Sequence, residues 1–125
     1  MDRCDSKWDT YVTLKDDDPS LNVTSMKNFA AVYANPFDQV IPYVSPVYGN
    51  FAKGFPPTLI QVGTKKILLS DSVRLYQAMD QEGIPVKLDV YEGMPHVFQF
   101  TLYNTPESKI AVSKINDFLK QYLNY

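Results

Sequence analysis

Thr58-Leu59-Ile60-Gln61-Val62-Gly63 is the stretch on which the fold turns. It is a short apolar run closed by glycine, the pattern of a buried strand in a parallel sheet. An amphipathic stretch follows over about 68–82, with Leu68, Leu75, Tyr76 and Met79 along one side, and Gly83 stops it. Val86-Lys87-Leu88-Asp89-Val90-Tyr91 then alternates apolar and polar, which marks a strand with one covered face or a strand at an edge. Thr105-Pro106-Glu107 opens a last helix over about 107–123. It offers a cap, a proline where the missing N–H costs nothing, and an acid on the positive end of the dipole. Ala111, Ile115, Phe118, Leu119 and Tyr122 form the face expected to be buried. Strands at 58–63 and 86–91, each followed by a helix, predict a right-handed parallel α/β unit over 57–125.

Outward from that unit, residues 1–56 hold most of the prolines and one convincing helix, over about 23–34. Asn22 can cap it. Met26, Phe29, Ala30 and Tyr33 follow at i, i+3, i+4 and i+7, a stripe expected to pack on something. Asn35-Pro36 ends the helix, and the sequence from there to Pro57 reads as irregular. The 125 residues suit one domain, and 45% hydrophobic content argues against disorder. Twelve Lys and Arg against 14 Asp and Glu leave a net charge of −2, so no basic field exists for nucleic acid or an anionic membrane. No apolar run approaches the roughly 18 residues of a spanning helix. The charged Met1–Lys7 segment does not read as a signal peptide, and a cytoplasmic location is expected. Cys4 is the only cysteine, which excludes an intramolecular disulfide and a cysteine-based zinc site.

Four features bear on chemistry. Asp16-Asp17-Asp18 before Pro19 has the oxygen ligands for a hard cation, but an acidic run ahead of a helix is far more often a solvated segment. Asn22-Val23-Thr24 matches a glycosylation sequon by chance, and Cys4, with no base nearby, reads as an ordinary thiol. No metal or cofactor site is expected. His96, the single histidine, lies in Glu92-Gly93-Met94-Pro95-His96-Val97-Phe98, directly after the second strand. Loops beyond the carboxyl ends of parallel strands are where α/β proteins place their chemistry, and imidazole can take and return a proton. A lone loop histidine is otherwise more often a surface residue.

Pro56-Pro57-Thr58-Leu59-Ile60-Gln61-Val62-Gly63, Ile67-Leu68-Leu69-Ser70-Asp71-Ser72 and Glu92-Gly93-Met94-Pro95-His96-Val97-Phe98 resemble, in order and spacing, segments of hormone-sensitive-lipase-like α/β-hydrolases. The bacterial carboxylesterases and monoterpene-lactone hydrolases are the nearest in character. Asp18-Pro19-Ser20-Leu21 and Ser45-Pro46-Val47-Tyr48-Gly49 extend the resemblance upstream. It implies a C-terminal portion of the α/β-hydrolase fold, with residues 1–125 forming a single partial domain. It also implies Ser–His–acid acyl transfer on small carboxylic esters or lactones, with His96 as the base and no cofactor or metal.

Two departures accompany it. No serine is flanked by glycine at both second neighbours, so the nucleophile turn has no counterpart, nor does the oxyanion-hole glycine motif. The family's acid position falls on Lys66, where a carboxylate would hold the histidine. Asp71 is the nearest acid, but on spacing it lies inside the following helix. The chain by itself is therefore expected to be inactive, as a piece of a truncated, split or degraded reading frame. The alternative is a non-catalytic module that binds a partner or apolar ligand, or a remnant without a role. Bare strand edges predict homo-oligomers.

Overall fold

The computed structural model describes residues 9–124. Its centre is a two-stranded parallel sheet, β1 (Thr58–Gly63) beside β2 (Val86–Tyr91), in register from Thr58 opposite Val86 to Gly63 opposite Tyr91. Both strands occupy the expected residues. The ladder runs from the Thr58 N–H on the Pro85 carbonyl to the Thr64 N–H on the Tyr91 carbonyl. Alternation therefore turns the N–H groups of Ile60 and Val62 toward β2, and those of Leu59 and Gln61 away from it. On β2, the N–H groups of Leu88 and Val90 point outward by the same rule.

Among the described residues, five α-helices accompany the sheet: α1 (Asp9–Thr13), α2 (Val23–Tyr33), α3 (Leu69–Gln81), α4 (Phe98–Thr101) and α5 (Pro106–Leu123). Three short 3-10 turns, at Asp38–Val40, Pro46–Tyr48 and Phe51–Lys53, carry the proline-rich segment to β1. The caps follow the sequence. Asn22 Oδ1 accepts from the Ser25 N–H at 2.8 Å, and Thr105 Oγ1 accepts from the Ser108 N–H at 3.3 Å ahead of Pro106. Gly83, at φ 72°, ends α3 in a conformation that costs glycine nothing.

The two faces of the sheet are covered by different helices. α3 packs one face, where Met79 and Ile84 are buried with Phe51, and Leu75 and Val86 lie against them. α5 packs the other, where Ala111 is buried with Tyr91 and Phe98. A third cluster joins α1 and α2 to the loop after β1 through Tyr11, Met26, Ile67 and Leu68. On β2 the polar Asp89 is enclosed and pairs with Lys114 of α5 at 3.2 Å, while the apolar Val90 is exposed.

Three expectations are corrected here. Of the α2 stripe only Met26 is buried; Ala30 is half-buried, and Phe29 and Tyr33 are 69% and 72% exposed. The α5 face is buried fully only at Ala111, while Ile115, Leu119 and Tyr122 stay more than a third exposed. An 18-residue helix is about 27 Å long, and two strands roughly 4.8 Å apart are too narrow to cover it. The acidic run is not uniformly solvated. Asp16 and Asp17 are exposed, but Asp18 is buried.

Candidate functional site

The site lies beyond the carboxyl ends of β1 and β2, where their two following loops are laced together. The Lys65 N–H donates to the Met94 carbonyl at 3.1 Å, and the Gly93 N–H donates to Thr64 Oγ1 at 2.8 Å. The loops approach so closely that a Cβ on Gly63 would overlap the Met94 carbonyl. Glycine at the end of β1 is thus a packing requirement of the second loop.

His96 hangs between this lacing and a buried plug. Val97, directly after it, adopts a left-handed conformation (φ 54°, ψ 35°), which is costly for a β-branched residue. That turn starts α4 and drives Phe98 inward onto Tyr91, ring centroids 4.9 Å apart. Ser108 of α5 fixes the Phe98 carbonyl with its hydroxyl at 2.9 Å. Both flanks of the histidine are therefore held.

His96 Nδ1 is itself buried and has no hydrogen-bond partner among the described residues. The imidazole pKa is pushed below its ordinary value, first by burial and then by the nearby Lys66 ammonium, against a smaller pull from Asp18. The residue facing His96 from the end of β1 is thus a cation where the resemblance implied a carboxylate. Burial also pushes the Lys66 pKa down, opposed by Asp18 and Asp71.

Asp71 sits on α3, buried, with Oδ2 accepting from the Tyr11 hydroxyl at 2.9 Å. It lines a pocket with Lys66, between Ile60, Leu68 and Leu75. No bond joins it to His96 Nδ1. Lys66 and His96, in contrast, share an open cleft of about 160 Å³ with Gln61, Pro95 and Gln99. That volume is smaller than the roughly 300 Å³ of a typical ligand pocket. Gln99 Nε2 donates to Gln61 Oε1 at 3.0 Å, and Gln61 Nε2 donates to the Ala111 carbonyl at 2.9 Å, so the cleft floor is fixed to α5.

Asp18 is the residue that sequence reasoning missed. Its Oδ1 accepts from the N–H groups of Ser20 and Leu21, at 2.8 and 3.0 Å, and its Oδ2 accepts from the buried N–H of Ile67 at 3.0 Å. It anchors the residue next to Lys66. Asp-Pro-Ser is a turn signature whose aspartate bonds the backbone ahead of it, and that signal was available. Cys4 lies outside the described residues. Asn22 of the sequon is occupied as a helix cap.

The profile of a family described as having the alpha/beta hydrolase fold matches residues 2–100. The chain belongs to the hormone-sensitive-lipase-like esterases of the α/β-hydrolase fold. It is 42% identical over 77 residues to an esterase of Acinetobacter venetianus, covering 62% of this chain and 25% of that protein. An acetyl-hydrolase of Streptomyces hygroscopicus is 31% identical over 111 residues, 89% of this chain and 37% of the relative. An esterase from the bacterial hormone-sensitive lipase family superposes with a TM-score of 0.89 at 31% identity, covering 98% of this chain and 41% of the other. A hormone-sensitive lipase from a metagenome library gives 0.87 at 30%, with coverages of 98% and 41%. This esterase-family chain therefore spans about two-fifths of the length of its solved relatives, and a quarter to two-fifths of these two curated ones. No described helix is long and apolar enough to cross a membrane.

Proposed function

We propose that this chain carries the histidine portion of a carboxylic ester hydrolase, with His96 as the general base of a Ser–His–acid mechanism. The observation that carries this reading is the placement of His96. It is held on both flanks at the carboxyl end of the sheet, half-buried, with its proton affinity lowered so that the neutral, proton-accepting form prevails near pH 7. Small carboxylic esters or lactones are the substrate class, and the acetyl-hydrolase relative supports a short acyl group. The reaction takes place in the cytoplasm and uses neither metal nor cofactor. Within the 125 residues no Gly-x-Ser-x-Gly turn occurs, so the nucleophile and the oxyanion donors have to come from residues outside this sequence. Alone, the chain is inactive. The acid is the weak member: Lys66 stands at its position, and Asp71 is engaged by Tyr11.

A fluorophosphonate probe tests this reading on the purified chain. No serine should be labelled, and short-chain aryl esters should show no catalytic turnover. Stoichiometric labelling of any serine overturns the claim. Mixing with a polypeptide that supplies the rest of the fold should give activity that His96→Ala abolishes.

A second reading is that the chain is a non-catalytic module for a partner or apolar ligand. The exposed apolar side chains of α2 and the following turn (Phe29, Val32, Tyr33 and Phe37) favour it. Under either reading the free edges of β1 and β2 make homo-oligomers the expected state.

A further inference from the structure

We propose that Lys66 is an acyl-accepting amine, which takes the acyl group of a small activated carboxylic ester entering the cleft it shares with His96. This goes beyond hydrolysis and requires no serine, so it stands or falls separately from the proposed ester hydrolase.

The side chain of Lys66 is half-buried and lines two adjoining cavities, the His96 cleft and the pocket walled by Ile60, Leu68 and Leu75. Its ammonium makes no hydrogen bond or ion pair with any described residue at bonding distance. Of the two acids that act on it, Asp18 accepts from three backbone N–H groups, and Asp71 accepts from the Tyr11 hydroxyl through Oδ2. The charged groups that reach Lys66 electrostatically are Asp18 from the upstream turn and Asp71 from α3, and Lys66 in turn reaches His96 on the loop after β2. Burial outweighs both carboxylates and lowers the pKa of the amine, which enlarges its nucleophilic neutral fraction. The second cavity supplies an apolar wall for a short acyl chain.

In the step itself the Nζ lone pair forms a bond to the ester carbonyl carbon. The tetrahedral adduct collapses with loss of the alkoxide or phenoxide, and the proton released from nitrogen passes to the neutral His96 imidazole and from there to the departing oxygen. The products are an N-acyl lysine and the free alcohol or phenol. The amide is stable, so each chain reacts once.

The test is acetylation by p-nitrophenyl acetate at pH 8, with peptide mapping by mass spectrometry over time. Lys66 should gain one acetyl group on the order of tenfold faster than the exposed Lys53 and Lys109. The preference should vanish in unfolding urea, and His96→Gln should slow Lys66 while leaving Lys53 unchanged. Modification of Lys66 no faster than of Lys53 in the folded protein overturns the proposal. So does a Lys66 rate that is indifferent to His96→Gln.

Discussion

The Asp18 carboxylate accepts a hydrogen bond from the backbone N–H of Ile67 at 3.0 Å, across 49 residues of chain. This one bond ties the proline-rich segment to the loop that follows β1. The same carboxylate turns the chain at Ser20 and Leu21. A charge buried with three N–H donors is well compensated, and removing it strands a buried donor.

Asp18→Ala should therefore destabilise the chain by roughly 3 kcal/mol in urea titration, the sum of a lost charged hydrogen-bond set and an unpaired buried N–H. Asp16→Ala, two residues away but exposed, should change stability by less than about 0.5 kcal/mol. Equal effects at the two positions would deny Asp18 its anchoring role.

Val97 predicts a gain. A non-glycine residue in the left-handed region costs about 1–2 kcal/mol, and Val97 is 38% exposed, so the apolar burial given up on its removal offsets part of that relief. Val97→Gly should stabilise by at most about 0.5 kcal/mol, after the lost burial and the extra freedom of glycine in the unfolded chain offset most of the relief. Val97→Ala keeps the Cβ and should gain little. Thermal melts of the three proteins decide the matter.

Titration of His96 carries a definite sign. Its folded pKa lies below the ordinary value of about 6.5, so below that pH the unfolded chain binds a proton that the folded chain resists. Stability should be full above pH 6.5 and fall as the pH drops through the window toward the folded pKa. His96→Gln should lose less stability over that window. Lys66→Glu replaces a repelling charge with an attracting one and should raise the imidazole pKa, read from its C–H resonances by NMR. An unchanged pKa would mean that Lys66 does not face the imidazole. In a complemented enzyme the same substitution should raise turnover, unless Asp71→Asn alone abolishes it and Asp71 proves to be the acid.

Strand edges give the last prediction. Leu88 and Val90 direct their N–H groups away from β1, so proline at either should spare the β1–β2 ladder and weaken association through the β2 edge. Proline at Ile60 removes a ladder bond and should disrupt the fold. Light scattering at high micromolar concentration should report dimers or larger species. A monomer that unfolds cooperatively would refute edge-mediated assembly.

By itself the sequence determined both strands to the residue and the three long helices to within a residue or two, because those signals are local. Period-2 and period-3.6 patterning, the Asn22 and Thr105 caps and the Gly83 stop each act over a few neighbouring residues. The position of His96 after β2 was legible for the same reason. Only the tertiary structure decided which faces are covered. Phe29 and Tyr33 repeat as regularly as Met26, but burial needs an opposing surface, and only Met26 meets Tyr11, Ile67 and Leu68. Tertiary structure also decided that Asp18, rather than Asp16 or Asp17, is enclosed, that His96 Nδ1 is buried, and that the imidazole shares its cleft with a lysine. Charge environment and hydrogen-bond partnership depend on residues dozens of positions apart in the chain, and no local pattern encodes those distances.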